Sequence, residues 1–265
     1  MLSAVRPVGD LLREWRQRRR LSQLDLACEA DISTRHLSFL ETGRARPSRE
    51  MVLHLAEQLD LSLRDRNDLL VAAGFAPVFP ERSLADPALQ AARAAMELVL
   101  AGHEPYPALA IDRHWTLVAS NRAVAPLLAG VEADLLRPPV NVLRLSLHPA
   151  GLAPRIANLG EWRAHLLARL RRQIDLAADP VLVALLRELG SYPAPGETQD
   201  AAPDNAAVVV PLRLAAPDGV LALFSTTTVF GTPLDVTLSE LALESFFPAD
   251  AATAEALRRS CAPMT

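Results

Sequence analysis

The chain has 265 residues, half of them apolar and 22% charged, a globular composition that excludes a chain too polar to collapse. At about 100 to 200 residues per domain, that length accommodates two domains with buried cores. The net charge of −4 conceals an asymmetry: residues 1–50 carry ten Arg against seven acidic side chains, whereas residues 81–265 carry fifteen against twenty. A basic head of this kind is compatible with a polyanion such as DNA. No apolar run reaches the roughly 18 residues that span a bilayer. The first thirty residues are too charged to hold a signal-peptide core, so the chain is expected to be cytoplasmic with no membrane partner. Cys28 and Cys261 lie far apart without metal-ligand spacing and read as unpaired thiols, so neither a metal nor another cofactor is expected.

Five short helices are predicted in the head. Leu11, Leu12 and Trp15 form the first apolar stripe; Leu24, Leu26 and Ala27 begin a second helix behind Ser22, an N-cap residue. Ser33 caps a third, with Leu37 and Leu40 inward and Thr34, Arg35, His36 and Ser38 outward. Ser48 opens a fourth helix with Val52, Leu55 and Leu59 on one face, and Ser62 opens a fifth that Gly74 stops. The sequence predicts a domain boundary within residues 74–87, where Gly74, Pro77, Pro80 and Pro87 interrupt the helical pattern, giving domains of residues 1–76 and 77–265.

The second and third helices carry a specific pattern. LSQLDLACEADISTRHLSFLETGRARPS, residues 21–48, resembles the helix-turn-helix of Xre/Cro-type repressors, departing from it only where Asp31 replaces the usual turn glycine. Asp tolerates a left-handed backbone better than most residues. The resemblance implies that the third helix enters a major groove with Ser33, Thr34, Arg35 and His36 near the bases, Arg35 being the preferred reader of guanine. It also implies that Gln23 anchors on phosphate, with Arg44 and Arg46 as further phosphate contacts. Arg16, Arg18, Arg19 and Arg20 form either a solvated helix end or part of the backbone-facing surface. His36 has a plain surface reading beside the base-reading one, and Phe39 either touches DNA or packs beside the turn. Glu41 reads as a structural acceptor for a nearby Arg or amide.

The body is predicted to be α+β. A helix spans Pro87 to Ala101, and ALAIDRHWTLVASN forms a hairpin leading to Asn121, which starts a further helix, NRAVAPLLAG. NVLRLSLHP is a short amphipathic helix stopped by Pro149; IANLGEWRAHLLARLRRQIDLAADP is a long one, and DPVLVALLREL follows it. PAPGETQDAAPDN at residues 193–205 reads as an exposed loop. Three strands close the chain: VVVPLRLAA, in which Val208, Val210, Leu212 and Leu214 alternate, then VLALFSTTTVF, then VTLSELALESFFP.

Several of these stretches, notably LLVAAGFAPVF, NVLRLSLHP, IANLGEW and residues 232–257, resemble the MmyB-like ligand-binding domain, a PAS-like sensor fold. With the head included, the resemblance covers nearly the whole chain. It implies an all-α five-helix helix-turn-helix domain followed by an α+β PAS-like domain with an antiparallel sheet of about five strands. It also implies a pocket for fatty-acid-like ligands. Such a carboxylate needs an apolar tunnel with a cationic or amide group at its mouth. Trp115, Leu117, Leu145, Trp162, Leu221 and Phe224 are candidate walls, each with ordinary core as its alternative. Arg144, with Asn121, Asn141 and His148, is the candidate for the carboxylate, and tying two helices together is its equally weighted alternative.

The expected function is a ligand-responsive regulator that binds double-stranded DNA as a homodimer and takes a small apolar carboxylate. The alternative is a DNA-bound scaffold that recruits a protein and has no effector. An enzyme is a lesser reading: Asp112, His114, Glu161 and His165 offer acid–base groups, but none falls in a catalytic motif, and no catalytic residue is assigned.

Overall fold

The computed structural model describes residues 6–193, 209–217 and 219–261. Val208 and residues 194–205 of the expected loop lie outside the described residues. The chain divides into two compact units, Met1–Ser83 with Thr232–Ser239, and Leu84–Gly231 with Glu240–Thr265.

The first unit contains α1 (Val8–Arg18), α2 (Gln23–Glu29), α3 (Thr34–Glu41), α4 (Arg49–Gln58) and α5 (Leu63–Ala72). Four of these begin the same way. Ser22, Ser33, Ser48 and Ser62 accept a hydrogen bond from the backbone amide three residues on, at 3.1 to 3.2 Å. Such a cap is worth about 1 kcal/mol, because it satisfies one of the amides that the first helical turn leaves unpaired. Leu12, Leu26, Leu37, Leu40, Leu55 and Leu69 fill the centre and are fully buried. Leu24, in the first turn of α2, is 60% exposed, while Leu26 and Ala27 are buried. Asp31 has φ 50° in the turn between α2 and α3, the left-handed conformation the sequence requires there. Gly9 allows α1 to lie against the end of α3; a Cβ at that position would stand 2.5 Å from the Leu40 carbonyl oxygen.

The second unit opens with a 3-10 turn, Pro87–Leu89, and α6 (Gln90–Gly102). The hairpin follows as β1 (Ala108–Ile111) and β2 (Leu117–Ser120). The segment after Asn121 is not the expected α-helix but turns ending in a 3-10 helix, Ala125–Leu128. Pro126 supplies no amide hydrogen to continue a helix. Then come α7 (Val142–Leu147), capped by Asn141, α8 (Leu159–Ala177), and α9 (Pro180–Ser191), capped by Asp179.

β3 (Leu212–Ala216) and β4 (Gly219–Val229) pair antiparallel. The next stretch corrects the expectation of one long strand: Val236–Ser239 is a helical turn, α10, and only β5 (Ala242–Pro248) is extended. The Asp235 carboxylate accepts the Thr237 amide at 2.9 Å, which favours a turn over a strand. α10 packs against α5 within the first unit. There Val236 donates to the Pro80 carbonyl at 2.8 Å, and Arg82 meets Asp235 at 3.0 Å. The described residues close with α11 (Ala251–Cys261), which the strand pattern did not foretell although Asp250 caps it by accepting the Thr253 amide at 2.7 Å.

The sheet is wholly antiparallel in the order β2-β1-β5-β4-β3. On one face Met96 and Leu100 of α6 pack with Ala108, Ala110 and Leu243. On the other, Leu212, Leu214 and Leu223 meet Trp162, Leu166 and Leu170 of α8 in the main core.

Candidate nucleic-acid interface and ligand cavity

In the first unit, Ser33 is engaged as the cap of α3, and Thr34, Arg35 and His36 form the first turn behind it. Arg35 is exposed, with its guanidinium carbon 5.3 Å from the centroid of Phe39, one turn further along the helix. Arg44 approaches the same ring at 6.0 Å. Phe39 is therefore a platform for two cations, a role that neither sequence reading of this residue contained. Arg44 and Arg46 are also exposed, and none of these three arginines has a carboxylate partner among the described residues.

Arg16, Arg18 and Arg19 of the head are occupied. Arg16 forms a buried two-pronged pair with Glu41, at 2.6 and 2.9 Å, and donates to the Leu21 carbonyl at 2.8 Å. Hydrogen bonding to Glu41 raises the Arg16 pKa further above its ordinary value. Gln23 joins this centre, its amide donating to Glu41 Oε2 at 2.8 Å. Arg18 pairs with Glu14, and Arg19 donates to the carbonyls of Leu59 and Asp60 beyond the end of α4.

In the second unit, a cavity of about 110 Å³ lies between the sheet and the helices. Its lining is mainly apolar, and Trp115, Leu117, Leu145 and Trp162 are among its walls. Phe224 does not border it: along β4 the cavity-facing positions are Leu223 and Ser225, so strand alternation puts Phe224 on the opposite face, stacked 5.4 Å from Phe247. Leu221 belongs to the core without bordering the cavity.

None of Asn121, Asn141, Arg144 and His148 lines the cavity either. Asn121 is buried and braces the hairpin, accepting from the Ala108 amide at 3.1 Å and donating to the Tyr106 carbonyl at 2.8 Å. Asn141 caps α7 and donates to the His114 carbonyl at 2.8 Å. Arg144 meets Glu188 of α9 through two hydrogen bonds of 2.7 Å, the geometry of the helix-tying alternative. The His148 ring lies 5.0 Å from that of Tyr192, whose hydroxyl donates to Glu188 at 2.6 Å.

The polar groups that do border the cavity are Ser146, Arg169, Ser225 and Glu244. Arg169 follows Trp162 and Leu166 on the buried face of α8, at a spacing the helical period makes legible. Glu244 lies within an apolar strand and is buried, a combination the sequence reading passed over. The acid–base residues named from the sequence are dispersed. Asp112 accepts the amides of His114 and Thr116, while His114 meets Asp179 at 2.8 Å. Glu161 accepts from Asn158, and His165 stacks on Trp162, its pKa lowered by burial and then by the Arg169 and Arg172 charges. Among the described residues no three His, Cys, Asp or Glu side chains are grouped to hold a metal. No helix among them is long and apolar enough to cross a membrane.

A capped helix-turn-helix with an exposed cationic turn, joined to an α+β unit enclosing an apolar cavity, defines the class of two-part, ligand-responsive transcription regulators. Residues 92–259 match the family of the MmyB-like transcription regulator ligand binding domain, and residues 7–69 match a helix-turn-helix domain. The chain belongs to the MmyB-like regulator family. No curated protein matches it.

Proposed function

We propose that this chain binds an operator as a homodimer through the first turn of α3, and that a small, mainly apolar effector of the fatty-acid-like class occupies the cavity and alters that binding. The observation that carries the reading is the pairing of carboxylate-free arginines on the DNA-binding unit with a cavity walled by Trp115 and Trp162 on the other. Arg35 reads a base edge, Thr34 and His36 flank it, and Ser33 orders the turn that presents them. Arg44 and Arg46 neutralise phosphates. Gln23, held by Glu41, keeps the start of α2 in register with α3 and presents the amide end of α2 to phosphate. A two-fold dimer reads an inverted repeat whose half-sites lie about 34 Å apart, or a multiple of it.

The chain path supplies a link between the two activities. β4 and β5 both contribute cavity residues, and the segment between them, Thr232–Ser239, folds with the DNA-binding unit. An effector that displaces these strands acts on that unit through continuous backbone. It shifts the equilibrium only as far as its affinities for the two arrangements differ.

The test begins with purified protein, denatured and extracted, and mass spectrometry of the small molecules released. The compound is then returned to effector-free protein in operator titrations. A change in operator affinity of about fivefold or more is the expected coupling. Unaltered affinity at saturating compound would favour the scaffold that recruits a protein partner.

A further inference from the structure

One corner of the cavity wall is charged. Arg169 of α8 donates through Nη2 to Glu244 of β5, and to Thr227 Oγ1 of β4 at 3.0 Å; Thr227 in turn donates to Glu244 at 2.9 Å. The guanidinium carbon sits 4.6 Å from the centroid of Trp115, within cation–π distance. Strand register builds the rest: Thr227 is opposite Glu244 and Ser225 opposite Phe246, so these four side chains share the sheet face that borders the cavity.

The valences at this corner are only partly used. Both donors reach Glu244 through Oε1, and Oε2 has no hydrogen-bond donor among the described residues. Arg169 makes both its bonds through Nη2, leaving Nε and Nη1 without an acceptor among the described residues. The corner therefore offers donors and an acceptor side by side with its net charge already cancelled. An anionic ligand would gain the guanidinium only by facing a buried carboxylate, and like charges brought together in a poorly solvated site oppose each other.

We infer that the cavity recognises an uncharged polar end, a hydroxyl or primary amide on a short apolar body, in preference to a carboxylate. Such a group accepts from Arg169 and donates to Glu244. Size agrees with a short body, because an engineered apolar cavity of about 150 Å³ takes up benzene, and this one measures about 110 Å³. The inference rests on an effector occupying the cavity as proposed above, and replaces the carboxylate of the fatty-acid-like class with an uncharged end.

Titration of the full chain with hexan-1-ol, hexanamide and hexanoate at pH 7.5, by calorimetry and by the fluorescence of Trp115 and Trp162, tests it. The alcohol and amide are expected to bind at least tenfold tighter than hexanoate. The variant Glu244→Gln, nearly isosteric and leaving Arg169 unneutralised, is expected to reverse the order. Hexanoate binding as tightly as the neutral pair in the unmodified protein would overturn the neutral-end assignment while leaving the effector reading intact. Binding of none of the three would overturn the neutral-end assignment, while the effector reading is decided by the extraction and operator titrations.

Discussion

In the N-terminal unit the Arg16 guanidinium is enclosed by Glu41 while those of Arg35 and Arg44 lie outside over Phe39; in the C-terminal unit Arg169 is paired with Glu244 yet still borders a cavity. One residue type thus serves as internal brace, exposed cation and cavity wall, and the placement of the nearest carboxylate separates the three settings. The buried pair has no spare valence facing a ligand, and the exposed pair of arginines over Phe39 has no carboxylate to quench it. Arg169 has both a partner and unused donors, so its charge is cancelled without its hydrogen-bonding capacity being exhausted.

The brace gives the largest expected effect. Glu41→Ala leaves a buried guanidinium unpaired and is expected to cost about 3–5 kcal/mol in urea unfolding, whereas replacing both partners with apolar residues should cost far less. Wild-type stability in the single variant would show that Arg16 reaches water. Next is Gly9→Ala, whose methyl would press on the Leu40 carbonyl at the α1 and α3 contact. Overpacking of this kind costs about 1–3 kcal/mol, read from the same unfolding curves.

On the outward side, Arg35→Ala is expected to remove about 1–3 kcal/mol of discrimination between operator and random DNA. Arg44→Ala should instead weaken binding to both and lower the salt slope by about one. An equal loss on both DNAs for Arg35→Ala would move that residue into the phosphate-contacting group. The smallest effect belongs to the partly exposed pair of the second unit, where Glu188→Gln is expected to cost about 0–1 kcal/mol.

The pH dependence of that pair has a definite sign. The hydrogen bond from Arg144 holds the Glu188 carboxyl below its usual pKa, so its stabilisation is complete above the carboxylate range and declines as pH falls through it. Tyr192 behaves oppositely: burial, then its bond to Glu188, pushes its hydroxyl up to about 12, so its contribution is complete below pH 10 and is lost as pH rises toward 12. Tyr192→Phe should flatten the alkaline limb of a thermal-stability profile, and an unchanged limb would assign it elsewhere.

Much of the first unit was legible because its signals are local. A serine cap fixes a helix start through an amide three residues away, and Asp31 marks the left-handed turn by its own backbone preference. The helical period turns Leu37 and Leu40 inward and exposes Arg35. In the second unit the same locality gave the hairpin, α7, α8 and α9, but failed where a side chain found a distant partner. Arg144 suits a carboxylate ligand and a second helix equally on sequence alone, because its partner Glu188 lies 44 positions away. Phe224 fits a wall position on sequence alone because a period of two names a face without saying which face the cavity lies on.

The sequence by itself determined the helix-turn-helix, its cationic first turn and the α+β character of the body, since caps, turns and apolar periods act within a few residues. Only the tertiary structure decided that Thr232–Ser239 folds with the first unit, that Arg169 rather than Arg144 borders the cavity, and that Glu244 cancels its charge. Those facts depend on strand register and on pairs separated by 75 residues, as between Arg169 and Glu244. Such contacts form only when the sheet and helices close on one another, and no local preference along the chain encodes them.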